Sequence, residues 1–184
     1  MKKIFASALL ASLFCTGAMA TEVFMTPDPG QAKGTTNGFS YDNLMSIGGT
    51  PFMFNGGDGT KLTYDAGAFN YGGATLNFTP WDLGGSGSIG WDASPYSVFM
   101  TFKDVSGHII GTDTLDMHFT GLNQTFLKKV YGVHEIDFSL AAGEQRTPRL
   151  FSLDVSPVPE PETYGMLIAG LAALGLIARR NKAA

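Results

Sequence analysis

The sequence predicts an all-β fold, an antiparallel two-layer sandwich with jelly-roll-like topology and about eight to ten strands. Three observations carry the prediction. Four stretches of the second half alternate apolar and polar residues with a period of two, the pattern of strands with one buried face and one wet face. Glycine pairs at Gly48-Gly49, Gly56-Gly57, Gly72-Gly73 and Gly84-Gly85 punctuate short runs rich in Phe, Tyr, Thr and Val. No long stretch shows the 3.6-residue apolar period of an amphipathic helix.

The chain begins with a predicted signal helix over residues 1–20. Lys2-Lys3 supply a positive start and Ile4 to Phe14 an apolar core, while Ala18-Met19-Ala20 is a small-x-small cleavage site. The cleaved chain then starts at Thr21. The one cysteine, Cys15, lies inside this signal, and Phe14 before it argues against lipidation. The remaining body, 21–155, has no cysteine and must rest on an ordinary core; its roughly 135 residues suffice for one domain.

Thr21 to Asn37, with Pro27, Pro29 and Gly30, reads as an irregular lead-in. Phe39 to Met45, Pro51 to Phe54, Leu62 to Asp65 and Thr75 to Thr79 read as strands. Asp82 to Gly90 reads as a loop, with Ser86 to Trp91 able to pair at an edge. The strict alternation follows. Val98, Met100 and Phe102 share a face of 96–102; Leu115, Met117 and Phe119 share one of 112–119. Ile136, Phe138 and Leu140 do so in 135–140, and Phe151, Leu153 and Val155 in 150–155. Asp104-Val105-Ser106-Gly107 is a hairpin turn, and Gly143 to Pro148 joins the last two strands.

The last stretch carries the strongest signal. Pro157, Pro159 and Pro161 predict an exposed extended rod. Thr163 to Ala178 carries no charge, and a helix there would be ~24 Å long at ~1.5 Å per residue. That is slightly short of a ~30 Å hydrocarbon core, and the predicted membrane helix is 164–178. Arg179, Arg180 and Lys182 then form a basic cytoplasmic stop. Gly165, Ala169 and Ala173 give the helix one small-residue face.

Pro159-Glu160-Pro161 followed by an apolar helix and Arg179-Arg180 resembles the PEP-CTERM sorting signal of Gram-negative bacteria, over 156–184 only. The resemblance implies export across the inner membrane and a transient anchor. It implies recognition of Pro159, Glu160 and Pro161 by exosortase, a membrane protease-transpeptidase, and a cell-surface or matrix destination among extracellular polysaccharide. A plain C-terminal anchor with a proline stalk is the alternative.

Composition narrows the function of the body. Setting aside Lys2, Lys3, Arg179, Arg180 and Lys182 leaves 7 of 12 basic residues; setting aside Glu160 and Glu162 leaves 14 of 16 acidic ones, a balance of −7. That charge argues against nucleic acid and anionic membrane surfaces as partners. His108, His118 and His134 lack metal-ligand spacing, so no metal or other cofactor is expected. Asn55-Gly56-Gly57-Asp58-Gly59 with Asp65 offers oxygens for a structural calcium, but departs from the EF-hand pattern and serves equally as a turn. Ser86 and Ser88 lack a nucleophile elbow. Asp113, Asp116, Glu135 and Asp137 are the nearest carboxylates for a hydrolase and read better as wet strand faces. Trp81, Trp91, Tyr96 and Tyr71 cluster around the glycine-rich middle and are candidate sugar-stacking rings; aromatics of a sandwich are otherwise core. The body is therefore expected to be non-enzymatic, structural or adhesive, with carbohydrate binding as the alternative.

Overall fold

A computed structural model describes residues 20–47, 49–53, 59–79, 81–82, 90–120, 122–144, 146–158, 168–172 and 174. For Trp81, Asp82, Gly90 and Trp91 it describes the backbone alone. Ala20–Pro157 forms one compact unit; the terminal segments Met1–Met19 and Val158–Ala184 form another. The predicted signal helix, the Pro-Glu-Pro and the basic stop lie outside the described residues. So does most of the predicted membrane helix, of which 168–172 and 174 are helical. Among the described residues no helix is long and apolar enough to cross a membrane.

The strands are β1 (Thr21–Phe24), β2 (Lys33–Thr36), β3 (Phe39–Asp42), β4 (Leu44–Ile47), β5 (Thr50–Met53), β6 (Thr60–Tyr64) and β7 (Phe69–Asn77). They continue with β8 (Trp81–Asp82), β9 (Gly90–Trp91), β10 (Tyr96–Lys103), β11 (Ile109–Met117), β12 (Asn123–Val133), β13 (Glu135–Leu140) and β14 (Arg149–Pro157). The fold is an all-β antiparallel sandwich. One sheet runs β12-β7-β14-β5-β4, with β1 also beside β14; the facing sheet runs β11-β10-β13-β6-β3-β2. A separate pair, β8-β9, stands apart from both.

The core lies between the two sheets. Leu62, Phe102, Ile136, Leu76 and Leu153 are fully buried and come from the apolar phase of an alternating strand. Leu150 is fully buried out of the expected Phe151–Leu153–Val155 phase, because β14 shifts register against β7 between Leu150 and Ser152 and leaves Phe151 only half-buried. Phe39, Tyr64 and Phe69 pack ring against ring with centroids 5.1 to 5.3 Å apart, closing one end. Asp104 closes the β10–β11 hairpin as the spacing predicts. Its Oδ1 accepts from the Ser106 and His108 amides at 2.8 and 3.0 Å. The His108 amide foremost holds the carboxyl below its usual range.

The structure corrects three sequence expectations and adds to two further stretches. The lead-in Thr21 to Asn37 contains β1 and β2, interrupted at Pro27, Pro29 and Gly30. Phe39 to Met45 is two strands in different sheets. The chain changes sheet at Asn43, which adopts φ 57°. Its Nδ2 donates to the Gly59 carbonyl at 2.9 Å, and its own carbonyl accepts from the Thr60 hydroxyl at 2.8 Å, so a short polar side chain fixes the left-handed residue. Gly72-Gly73 is no turn but the middle of β7, where the ladders to β12 and β14 shift register close by. Asn123 to Val133, unassigned in the sequence, is the eleven-residue β12. Of Ser86 to Trp91, Gly90 and Trp91 pair with Asp82 and Trp81, and residues 86–89 lie outside the described residues.

Candidate functional site

The face of the β12-β7-β14-β1 sheet that turns away from the core carries a row of polar side chains crossing four strands. Thr125 lies opposite Thr75, Thr75 opposite Ser152, and Ser152 donates its hydroxyl to Glu22 Oε1 at 2.6 Å. The Thr75 and Thr125 hydroxyls share a hydrogen bond at 3.1 Å. One step toward the end of β14 the facing positions are Leu127, Gly73, Asp154 and Glu22. One step toward its start, Asn77 Nδ2 donates to Asn123 Oδ1 at 3.1 Å, and the Arg149 guanidinium lies over the Phe52 ring at 4.9 Å.

Between the first two rows is an open depression of about 430 Å³ lined by Glu22, Gly73, Thr75, Thr125, Ser152 and Asp154, with Ala20, Ala74 and Leu127. Two glycines make it. A Cβ on Gly72 would stand 2.6 Å from Asp154 Oδ2, and one on Gly73 would stand 2.6 Å from the Phe126 carbonyl oxygen. Neighbouring side chains and backbone therefore come close where a side chain would otherwise rise. Leu127, 79% exposed, forms the apolar shoulder. The site offers hydroxyl and carboxylate oxygens on a broad floor, and its hydroxyl–carboxylate pair, Ser152 with Glu22, has the serine buried at 1% exposure, out of reach as a nucleophile. That suits binding of a hydroxyl-rich ligand more than bond cleavage.

The residues predicted from sequence are arranged otherwise. Tyr71 and Tyr96 are corrected: they are 2% and 7% exposed and belong to the core, where no sugar face can reach them. Burial pushes both phenols up, Tyr96 to about 12, and the Tyr71 hydroxyl points at Met100 Sδ at 3.7 Å. Trp81 and Trp91 stand opposite each other in register on β8-β9; their rings lie outside the described residues. The four carboxylates do not face one another across a cleft. Asp113 pairs with Lys128 at 3.2 Å, and Asp116 accepts from the Ser97 hydroxyl at 2.8 Å. Glu135 and Asp137 both hold Lys103. Burial raises the Glu135 carboxyl, but the Lys103 and Lys61 ammonium groups bring it below its usual range.

The histidines do not converge either. His108 faces Asp104 at 3.5 Å, the His118 amide donates to Gln124 Oε1 at 3.2 Å, and His134 Nδ1 meets the Gly67 carbonyl. Among the described residues no three His, Cys, Asp or Glu side chains are grouped to hold a metal. Of the calcium candidates, Asp65 accepts from the Ser40 hydroxyl at 2.6 Å, and Asn55 to Asp58 lie outside the described residues.

The fold and this face define a two-sheet β-sandwich with an open polar groove, whose last strand leads directly into a C-terminal segment. That segment, residues 157–182, matches the PEP-CTERM protein-sorting motif, which marks a chain for export and sorting to the cell envelope. No curated protein matches the chain. Solved structures with a similar fold are carbohydrate-binding modules. One is a point variant of the family 29 module CBM29-2, 15% identical, covering 77% of this chain and 94% of that one with a TM-score of 0.48. Another variant of that module, complexed with cellulohexaose, is 15% identical over the same shares with a TM-score of 0.49. A family 4 module is 16% identical, covering 78% and 81%, with a TM-score of 0.33.

Proposed function

We propose that the chain is an exosortase substrate: an exported protein that works as a non-enzymatic structural or adhesive component of the extracellular polysaccharide layer. The observation that carries this is the sorting motif at 157–182, which begins on the final residue of β14 and leaves no room for another domain between sandwich and signal. In this reading the signal at 1–20 is removed after Ala20, and a helix at 164–178 holds the chain in the inner membrane. Arg179, Arg180 and Lys182 keep its end cytoplasmic. Exosortase recognises Pro159, Glu160 and Pro161 and cuts near them. The repeated crossing of the chain between the two sheets, interrupted where β2–β3, β4–β5 and β10–β11 stay within one sheet, is read as jelly-roll-like.

The test is the intact mass of the extracellular form from the native host, beside that from an exosortase-deficient strain. A C-terminus near Pro159 to Pro161 in the competent strain alone is the expected result. A mass retaining Arg179 to Ala184 in both strains would mean a permanent anchor. Glu160→Ala should abolish release; unchanged processing of that variant would count against recognition through Pro-Glu-Pro.

A second reading, that the sandwich binds glycan, is favoured by the polar row Thr125–Thr75–Ser152–Glu22 and the groove beside it.

A further inference from the structure

We infer that the groove on the β12-β7-β14-β1 face binds a neutral glycan lying across the strands, with Glu22, Asp154, Thr75 and Thr125 contacting its hydroxyls, the buried Ser152 hydroxyl holding Glu22 in place, and Leu127 meeting its apolar ring face; this rests on the glycan-binding reading. Strands stand ~4.8 Å apart, close to the length of one pyranose in an extended chain. A glycan lying across them meets one oxygen-bearing side chain per strand, Thr125 on β12, Thr75 on β7, Asp154 on β14 and Glu22 on β1, because Thr125 is in register with Thr75 and Asp154 with Glu22, which Ser152 holds from beneath. Those side chains are held by one another before any ligand arrives, which lowers the ordering cost of binding.

The chemistry separates this occupant from others. A peptide added by strand pairing needs free backbone groups at a sheet edge. Here β7 and β14 are paired on both sides, and the groove lies on their face. A protein partner needs a broad apolar centre, and Leu127 is the one exposed large apolar side chain in the lining. An acidic polymer is repelled by Glu22 and Asp154, whereas carboxylates accept strongly from the hydroxyls of a neutral sugar. Of the cations near the row, Arg149 lies over Phe52, and Lys129 is exposed two residues beyond Leu127 on β12.

The test is affinity electrophoresis of the extracellular form in native gels containing hydroxyethylcellulose, galactomannan, alginate or chitosan. Wild type should be retarded by a neutral polymer and not by alginate. The double variants Glu22→Gln/Asp154→Asn and Thr75→Val/Thr125→Val should each weaken that retardation roughly ten- to a hundredfold, since each removes two hydrogen-bonding partners. Glu135→Gln, on the outer face of the other sheet, should leave it unchanged. Thermal midpoints show which variants fold, and the threonine pair serves if the carboxylate pair does not. Retardation that survives both double variants and is lost on Trp81→Ala/Trp91→Ala would overturn this site while leaving glycan binding intact. No retardation by either neutral polymer would overturn the glycan-binding reading itself. Retardation by alginate, or by chitosan alone with loss at high salt, would overturn the neutral class.

Discussion

Replacing Arg146 by alanine should unfasten the loops at the start of β10 and β14. The Arg146 side chain is 8% exposed and that of Glu144 13%. Nε donates to Glu144 Oε1 at 2.7 Å, a second guanidinium nitrogen donates to Oε2, and the third to the Ser94 carbonyl. The guanidinium carbon lies 4.4 Å from the centre of the Tyr96 ring. Glu144 foremost raises the Arg146 pKa, against the cost of burial. Breaking a buried pair from one side costs ~3–5 kcal/mol, and a stacked cation adds about 1 kcal/mol. The contact with Asp92 at 3.5 Å reaches a half-exposed side chain and adds little. The pair lies near the surface, so the lower end applies: about 3 kcal/mol, or roughly 10 °C in Tm for a body of this size. Arg146→Lys keeps the charge without the two-pronged geometry and should cost about half as much. Urea unfolding followed by tryptophan fluorescence measures both. A loss for Arg146→Ala below about 0.5 kcal/mol, as at an ordinary surface site, would refute the reasoning.

Four further substitutions, at three positions, test other features by the same unfolding assay. Asn43→Ala should cost about 2 kcal/mol, combining a lost hydrogen bond with a left-handed residue; Asn43→Gly should cost about half, because glycine accepts φ 57°. Equal losses would show that the backbone conformation does not matter. Phe102→Ala empties a fully buried site stacked on Tyr71 at 4.8 Å and should cost ~3–5 kcal/mol. Glu135 has a lowered pKa in the folded state, so its contribution is full above the unfolded value of about 4.3 and falls as pH drops through the folded value. Glu135→Gln should therefore flatten the stability profile below about pH 4.3, and a profile as steep as wild type there would contradict the ion-pair account.

Strands that bury every second side chain were legible. Glu135 to Leu140 is β13 residue for residue, because Ile136 and Phe138 face the core while Glu135 and Asp137 face Lys103. β12 was not. It is an edge strand with Lys128, Lys129 and two register shifts, and only Val130 and Val133 are buried, so no alternation marks it. The break between β3 and β4 left one trace: buried Tyr41 and Leu44 are three residues apart, where an unbroken strand would space them by two. The groove was the least visible feature. Glu22, Thr75, Thr125 and Ser152 meet only through strand register, and Gly72-Gly73 carries the same letters as a turn. Aromatic composition pointed instead to Tyr71 and Tyr96, whose rings the core required.

The pairing of the first and last strands ties the groove to the sorting signal. Thr21 lies opposite Val155, and Pro157 ends β14 opposite Phe69. The segments 1–20 and 158–184 are thus joined covalently to the same end of one sheet. The other end of these strands is marked by Asn77, Asn123 and Arg149, which lie in register with one another. The row Thr125–Thr75–Ser152–Glu22 lies between those ends and runs across β14, not along it. Every residue that lines the groove precedes Pro157, so removal of the segment after Pro157 takes none of the lining away.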